Sequence, residues 1–362
     1  MGQSLLEGSF SILNFNSLIP GASPRLDSCF LRPNLSCVQR TRRKFVQGMA
    51  LGTAAAAGGT SWWAASSKSR AARWFRTIVA DARRPILPAP AKPDPTKWSD
   101  HNVTISWLGH ATVLINFLGL RILTDPALGR RVGLSLGLGT AGPKRYIAPA
   151  LKLAEMPPID LVLLSHAHMD HMDLPTLNRL AGNAQFASAS LTRDVVAAAG
   201  GISEKQINEL RWGQTANLHF KNGDLQLTAL EVKHWGQRWP KQLERGYNGY
   251  AIRREGRTIL FGGDTAQTES FKQHRTHGPY DLAIMPIGAY DPWIWNHCSP
   301  EQAVDMANQA GARYFIPIHH QTFRLSHEPM LEPIERAETA LAKETERLAL
   351  RQVGETFICP KA

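Results

Sequence analysis

The run Ser165-His166-Ala167-His168-Met169-Asp170-His171 constrains this chain more than any other stretch. Three imidazoles and a carboxylate fall within six consecutive positions, directly after the apolar run Leu161-Val162-Leu163-Leu164. In an extended segment, residues two apart point the same way, so His166 and His168 can grip one ion from the same side. Asp170 and His171, where the chain turns toward a helix, point elsewhere and suit a second ion. So many donors at such short spacing are hard to wrap around one tetrahedral centre, which favours two metals. Left without an ion, adjacent histidines after a buried strand would be costly unless partnered.

Two ions need more ligands, and three further apolar runs each end in a metal-capable residue. The run from Leu225 to Lys233 ends in His234, the run from Thr258 to Gly263 ends in Asp264, and the run from Arg313 to Ile318 ends in His319 and His320. In layered α/β folds, functional groups gather at strand ends and in the loops that follow. Four such ends could meet in one cleft. Taken singly, each has a plainer reading: a histidine beside Trp235 is commonly a surface or core residue, and Gly-Gly-Asp is a common turn. The His-rich run raises all three together.

With these residues in view, the chain resembles the metallo-β-lactamase fold, in the branch of N-acylphosphatidylethanolamine-hydrolysing phospholipase D and its bacterial relatives. The resemblance runs from about Val103 to the C-terminus. Beside the His-rich run it rests on Thr104-Ile105-Ser106-Trp107-Leu108-Gly109-His110-Ala111-Thr112, Leu123-Thr124-Asp125-Pro126, Gly142-Pro143-Lys144-Arg145 and Pro157-Pro158-Ile159-Asp160. His234-Trp235, Gly263-Asp264-Thr265, Pro286-Ile287-Gly288-Ala289-Tyr290 and Ile318-His319 complete it.

The resemblance implies an αββα sandwich, two mixed β-sheets flanked by helices; periodicity alone supports only a mixed α/β fold. It also implies ligand roles. His166, His168 and His234 would hold one ion, Asp170, His171 and His319 the other, and Asp264 would bridge them. The family pattern selects His319 over His320, because the ligand directly follows the last apolar strand. Asp125 resembles the family carboxylate that orients a ligand imidazole, although an Asp-Pro turn also accounts for it. His110, in a tight Gly-His-Ala turn, reads as structural or supporting and not as a ligand.

Two divalent ions ~3.5–4 Å apart can share a water and lower its pKa toward neutrality. That makes a nucleophile available without serine or cysteine, with Asp170 and Asp264 in the machinery. An all His/Asp donor set suits zinc, with iron or manganese chemically open. No cysteine falls at a ligand position, which argues against the single-cysteine lactamase pattern. Hydrolysis is therefore the expected reaction class.

Tyr290-Asp291-Pro292-Trp293-Ile294-Trp295-Asn296-His297 is an aromatic loop ending in histidine. In the family this loop borders the cleft, and His297 resembles a histidine near the substrate phosphate. An imidazole there could protonate the leaving oxygen; a packing role for Trp293 and Trp295 competes with that reading. Tyr290, Trp293, Trp295, Met169 and Asn296 are the expected cleft residues. The branch usually carries an aromatic where this chain has Met169 and glutamine where it has Asn296, and both changes touch the region that would meet a head group. The expected substrate is a lipid or another small phosphodiester. A lactonase or other ester or amide hydrolase is the alternative on the same site. An RNA nuclease and a non-enzymatic metal-binding module are weaker readings.

The net charge of +11 is uneven. Residues 1–98 carry 14 Lys/Arg against 4 Asp/Glu; the remainder carries 27 against 26. The basic character therefore belongs to the N-terminal segment, which disfavours nucleic acid as a partner of the domain itself. Four segments are expected: a leader over 1–40, a twin-arginine signal or anchor over 41–65, a basic amphipathic helix with a Pro-rich linker over 66–98, and the hydrolase domain over 99–362. Thr41-Arg42-Arg43-Lys44-Phe45-Val46 resembles the twin-arginine motif and precedes an Ala/Gly-rich stretch. This predicts passage through the Tat export machinery to the periplasm or the periplasmic face of the membrane. The length of the stretch before Arg42 suggests a later translation start, at Leu35 or Val38. Trp74, Phe75, Ile78, Val79 and Ala82 fall at helical spacing among arginines, a pattern that fits either peripheral membrane contact or packing on the domain. The oligomeric state is not legible.

Overall fold

The structure, a computed structural model, describes residue 81 and residues 83–361 except 136–138, 183, 240 and 242. The leader, the twin-arginine stretch and nearly all of the amphipathic segment lie outside the described residues. Among the described residues, no helix is long and apolar enough to cross a membrane.

Two mixed sheets form the body. The first contains β1 (Val103–Gly109), β2 (Thr112–Phe117), β3 (Leu120–Thr124), β6 (Leu161–Leu163), β7 (Gln185–Ala189), β8 (Ile207–Leu210) and β15 (Thr356–Cys359), in the order β15-β1-β2-β3-β6-β7-β8. The second contains β9 (Thr215–Phe220), β10 (Gly223–Leu230), β11 (Gly249–Arg254), β12 (Arg257–Phe261), β13 (Tyr280–Pro286) and β14 (Ala312–Ile318), in the order β14-β13-β12-β11-β10-β9. A small hairpin, β4 (Leu134–Ser135) and β5 (Thr140–Ala141), projects from the loop after β3. In each sheet the hairpin-linked strands pair antiparallel. The strands that follow crossovers pair parallel: β3 with β6, β6 with β7 and β7 with β8 in the first sheet, and β12 with β13 and β13 with β14 in the second.

Side-chain alternation along the strands sets the layers. Ile105, Ile115, Leu163, Ile259, Phe261, Leu282, Ile284, Ile316 and Ile318 fill one core between the sheets. Their neighbours Leu260, Ala283, Met285 and Phe315 face outward, under α3 (Ser270–His274), α4 (Pro300–Ala310) and α5 (Glu332–Ala340). Val162, Leu164 and Phe186 face the other way, under α1 (Leu174–Leu180) and α2 (Arg193–Ala197). This is the expected helix-sheet-sheet-helix sandwich.

Some local expectations need correction. The sequence pattern over 333–349 predicts one helix, but α5 stops at Ala340, because the chain must turn so that Ala349 can bond Phe315 of β14 (2.9 Å). The strand predicted over 225–233 ends at Leu230, which frees His234 for the site. Residues 85–95 do not hang as a loose linker. Leu87 pairs with Tyr146 and Ala148 through backbone bonds of 2.8 Å, and the Ala91 N–H donates to the Val353 carbonyl at 3.2 Å.

Candidate metal centre

The ends of β3, β6, β10, β12 and β14 and the β1–β2 turn deliver Asp125, the His-rich run, His234, Asp264, His319 and His110 to one edge of the sandwich. Close approach there requires Gly263: a Cβ on it would lie 2.7 Å from the Ser165 Cβ, and its φ is +58°. Three residues of the cluster other than glycine hold left-handed backbone, His110 (φ 54°), Asp125 (φ 33°) and His319 (φ 65°). Strain of this kind persists only where the surroundings over-determine it, and it concentrates at functional sites.

Two groups of donors converge. In the first, His166 Nε2 lies 2.8 Å from His168 Nδ1, and His234 Nε2 lies 3.3 Å from the same atom. In the second, His171 Nε2 and His319 Nε2 each lie 3.5 Å from Asp170 Oδ2. Asp264 stands between them. Its Oδ2 is 3.1 Å from both His171 Nε2 and His319 Nε2, 3.9 Å from His234 Nε2 and 3.5 Å from His297 Nε2.

The partners on the far side of each ring explain the aim of these nitrogens. The Ser165 hydroxyl donates to Asp125 Oδ2 (2.6 Å), so it accepts the Nδ1–H of His166 (2.9 Å). His171 Nδ1–H donates to Asp125 Oδ2 (2.7 Å) and His234 Nδ1–H donates to the Asn296 carbonyl (2.7 Å). Each of the three imidazoles has its outer nitrogen protonated and hydrogen-bonded, which turns Nε2 toward the centre. His110 Nε2 meets Asp170 Oδ2 at 2.9 Å, and its carbonyl takes the Trp107 indole N–H (2.7 Å) and the His319 N–H (3.0 Å).

These residues fit a divalent cation. His171 Nε2, His319 Nε2 and Asp264 Oδ1 are buried without a hydrogen-bond partner, although His171 and His319 each sit 3.1 Å from Asp264 Oδ2. Groups that are close yet not aligned with one another suit a shared ion better than a direct bond. The charges agree. Burial lowers His166 and His234 well below the usual imidazole value and His168 to about 4, which keeps them as neutral ligands. Burial would also lower His319, but Asp264 and Asp170 overcome it and raise it to about 9. His171 is driven up in the same way by Asp264, Asp170 and Asp125. Against burial, the neighbouring imidazoles hold Asp170 and Asp264 well below the usual carboxylate range.

The remaining candidates separate. His320 stands outside the cluster, stacked on Trp107 (4.4 Å between rings), with both nitrogens unpartnered beside a cavity of about 20 Å³. His297 is buried with Nδ1 free. Trp293 and Trp295 are exposed, Trp295 at 77%, and Met169 is half-buried. Asn296 enters through its carbonyl, not its side chain. Tyr290 does not face the centre: its hydroxyl donates to Glu332 Oε1 (2.7 Å) and its ring lies under Arg336, toward α5. Cys298 and Cys359 are buried free thiols. Sequence reasoning missed Ser165 as the support of His166, and its place beside the His-rich run was the available signal. It also missed Arg238, whose guanidinium binds the Ala167 and Met172 carbonyls (2.7 and 3.0 Å) and holds the run's backbone. Trp235 packs against His168 and His234 (4.6 and 4.3 Å).

A family model described as a beta-lactamase superfamily domain matches residues 120–320. An uncharacterized protein of Mycobacterium tuberculosis is 34% identical over 290 residues, 78% of this chain and 76% of that protein. A Caenorhabditis elegans protein named N-acyl-phosphatidylethanolamine-hydrolyzing phospholipase D 1 is 32% identical over 283 residues, 72% of this chain and 78% of its own. Among solved structures, the isothiocyanate hydrolase from Delia radicum gut bacteria shares the fold with a TM-score of 0.57 at 16% identity, covering 71% of this chain and 100% of that one.

Proposed function

The chain belongs to the beta-lactamase superfamily and is a metal-dependent hydrolase of that fold, and on that premise we propose that it holds two divalent ions and hydrolyses a phosphodiester in a phospholipid. The observation that carries the two-ion reading is the place of Asp264 Oδ2, within 3.1–3.9 Å of nitrogens from both donor groups. His166, His168 and His234 would hold one ion, and Asp170, His171 and His319 the other, with Asp264 shared. The His/Asp donor set suits zinc. When bound, such a pair supplies a water acidified toward neutrality and a Lewis acid for a phosphoryl oxygen.

The chain's own residues do the rest. Asp125, Ser165 and the Asn296 carbonyl fix the tautomers of His171, His166 and His234. His297, whose Nε2 lies 3.5 Å from Asp264 Oδ2, would pass a proton to the departing alcohol oxygen. Trp293 and Trp295 offer an apolar rim to acyl chains.

The substrate class rests on the nematode relative's name together with the aromatic loop. Purified protein given N-acylphosphatidylethanolamine in mixed micelles should release phosphatidic acid and an N-acylethanolamine, and should stop on chelation. Turnover of a lactone or of RNA, with none of the phospholipid or of bis-p-nitrophenyl phosphate, would overturn the phosphodiesterase reading. We further propose twin-arginine export of the folded, metal-loaded protein. Replacing Arg42 and Arg43 together by lysine should leave the protein in the cytoplasmic fraction, and unchanged export would refute this.

A further inference from the structure

We propose that Glu328 is a positioning residue for the metal centre: its buried carboxylate fixes the root of the 287–297 loop, whose far end aims His234 and holds His297. The inference rests on the metal-centre reading above. β13 ends at Pro286, and after Ile287 bonds the Ile318 carbonyl (3.0 Å) the chain leaves the sheet. Ala289 then takes left-handed backbone, φ 62°. No strand or helix holds the chain again until Ser299 caps α4, where the Ser299 hydroxyl accepts the Gln302 N–H (3.3 Å) and Gln302 Oε1 accepts the Ser299 N–H (3.0 Å). One end of the loop is therefore fixed by a capping box, and the other needs a different anchor.

Glu328 is that anchor. It is 8% exposed. Its Oε1 accepts the Ala289 N–H (2.6 Å) and the Ser326 hydroxyl (2.6 Å), and its Oε2 accepts the Asp291 N–H (3.2 Å). The neighbouring His327 N–H donates to the Asp291 carbonyl (2.8 Å). Two backbone N–H groups of one turn closing on a single carboxylate form a filled anion nest, and charged hydrogen bonds of this kind are about twice as strong as neutral ones.

The loop's far end shows what the anchor serves. The Trp293 carbonyl accepts the N–H groups of both Asn296 and His297 (2.9 and 3.0 Å), which closes 293–297 into one turn, joined to the anchored Asp291 through Pro292 alone. The Asn296 carbonyl receives His234 Nδ1–H at 2.7 Å, which fixes the tautomer that presents Nε2 to the centre. Loosening the turn at Ala289 and Asp291 releases that carbonyl and with it the aim of His234.

The test replaces the native ions with cobalt(II) in the whole protein and reads its visible spectrum and its loss to a chelator. Glu328→Gln keeps one acceptor oxygen but turns an amide N–H₂ toward a backbone donor. We expect it to fold, to bind cobalt about 10–100-fold more weakly than wild type, and to show an altered band. Glu332→Gln is the control. It touches the same loop only through the Tyr290 hydroxyl, so it should lower the melting temperature and leave the cobalt spectrum unchanged. Wild-type spectrum and affinity in Glu328→Gln, whatever its melting temperature, would overturn the inference alone. Wild-type protein that takes up no cobalt would overturn the metal reading and the inference with it. Should Glu328→Gln not fold, Ser326→Ala removes one bond to the carboxylate; it should then bind cobalt more weakly than wild type with a shifted band, and a wild-type spectrum and affinity would overturn the inference.

Discussion

At the scale of single residues, Asp125 does the most with the least exposure. It is completely buried, and it takes the Ser165 N–H (2.7 Å), the Ser165 hydroxyl and the His171 Nδ1–H. It therefore sets a ring in both donor groups: His171 directly, and His166 through Ser165. Asp125→Asn keeps the shape but replaces one acceptor oxygen by a donor, which must then face either the Ser165 N–H or the Ser165 hydroxyl and His171 Nδ1–H. The expected outcome is metal affinity lowered about 10–100-fold, with chelator competition as the readout. An affinity equal to wild type would show that these rings are aimed by packing instead. The residues the sequence reveals and those it hides differ in a physical way. Imidazoles and carboxylates at strand ends are legible because few structural roles call for them there. Asp125 shares that legibility. The Asn296 carbonyl does not, because every residue carries one and only the folded loop decides which one meets His234. Tyr290 misleads for the complementary reason: an aromatic beside the site can turn its hydroxyl to a helix carboxylate as readily as to a cleft.

At the scale of elements, the segment over 85–95 behaves as a strap on the domain. It crosses the chain near Gly354, whose φ is +95° and where an added Cβ would lie 1.8 Å from the Ala91 carbonyl. Gly354→Ala should therefore destabilise by roughly 1–3 kcal/mol from backbone strain, plus whatever the strap loses by lifting away. Urea unfolding with the 81–98 segment present and removed separates the two contributions: if the strap matters, the deletion narrows the gap between glycine and alanine. At the helical cap, Ser299→Ala should cost about 1 kcal/mol, read in the same unfolding experiment. The same scale shows why periodicity reads some elements and not others. β1, β2, β12, β13 and β14 are apolar runs bounded by turns and are plain in the sequence. β8, β9 and β15 are edge or near-edge strands in which exposed and half-buried residues dilute the alternation. The stretch after Ala340 keeps the composition of a helix. Tertiary pairing of Ala349 with β14 overrides that preference, which no local pattern records.

At the scale of the whole molecule, the net charge says little about the domain, whose acids and bases nearly cancel, and the decisive charges are the few buried ones. Stripped of metal, Asp264, Asp170 and Asp125 rely on protons held by His319 and His171 for compensation. His319 is raised from 6.5 to about 9, and His171 is raised in the same direction. A raised imidazole stabilises the fold fully below its unfolded value and stops doing so as pH climbs through its folded one. His168, lowered to about 4, and His166 and His234, lowered in the same direction, have the opposite sign. The unfolded chain binds their protons first, so stability rises with pH up to about the ordinary imidazole value of 6.5. The metal-stripped protein should therefore be most stable near pH 6.5 and lose stability on both sides, including toward pH 9. Zinc reverses the alkaline limb, because binding needs the His171 and His319 lone pairs and grows easier as their protons leave. The gap in melting temperature between zinc-loaded and stripped protein should thus widen from pH 6.5 to pH 9. Thermal scans of both forms across that range decide it. A gap that stays constant would mean that these protons do not stand in for the metal's charge, and the electrostatic account of the centre would fail.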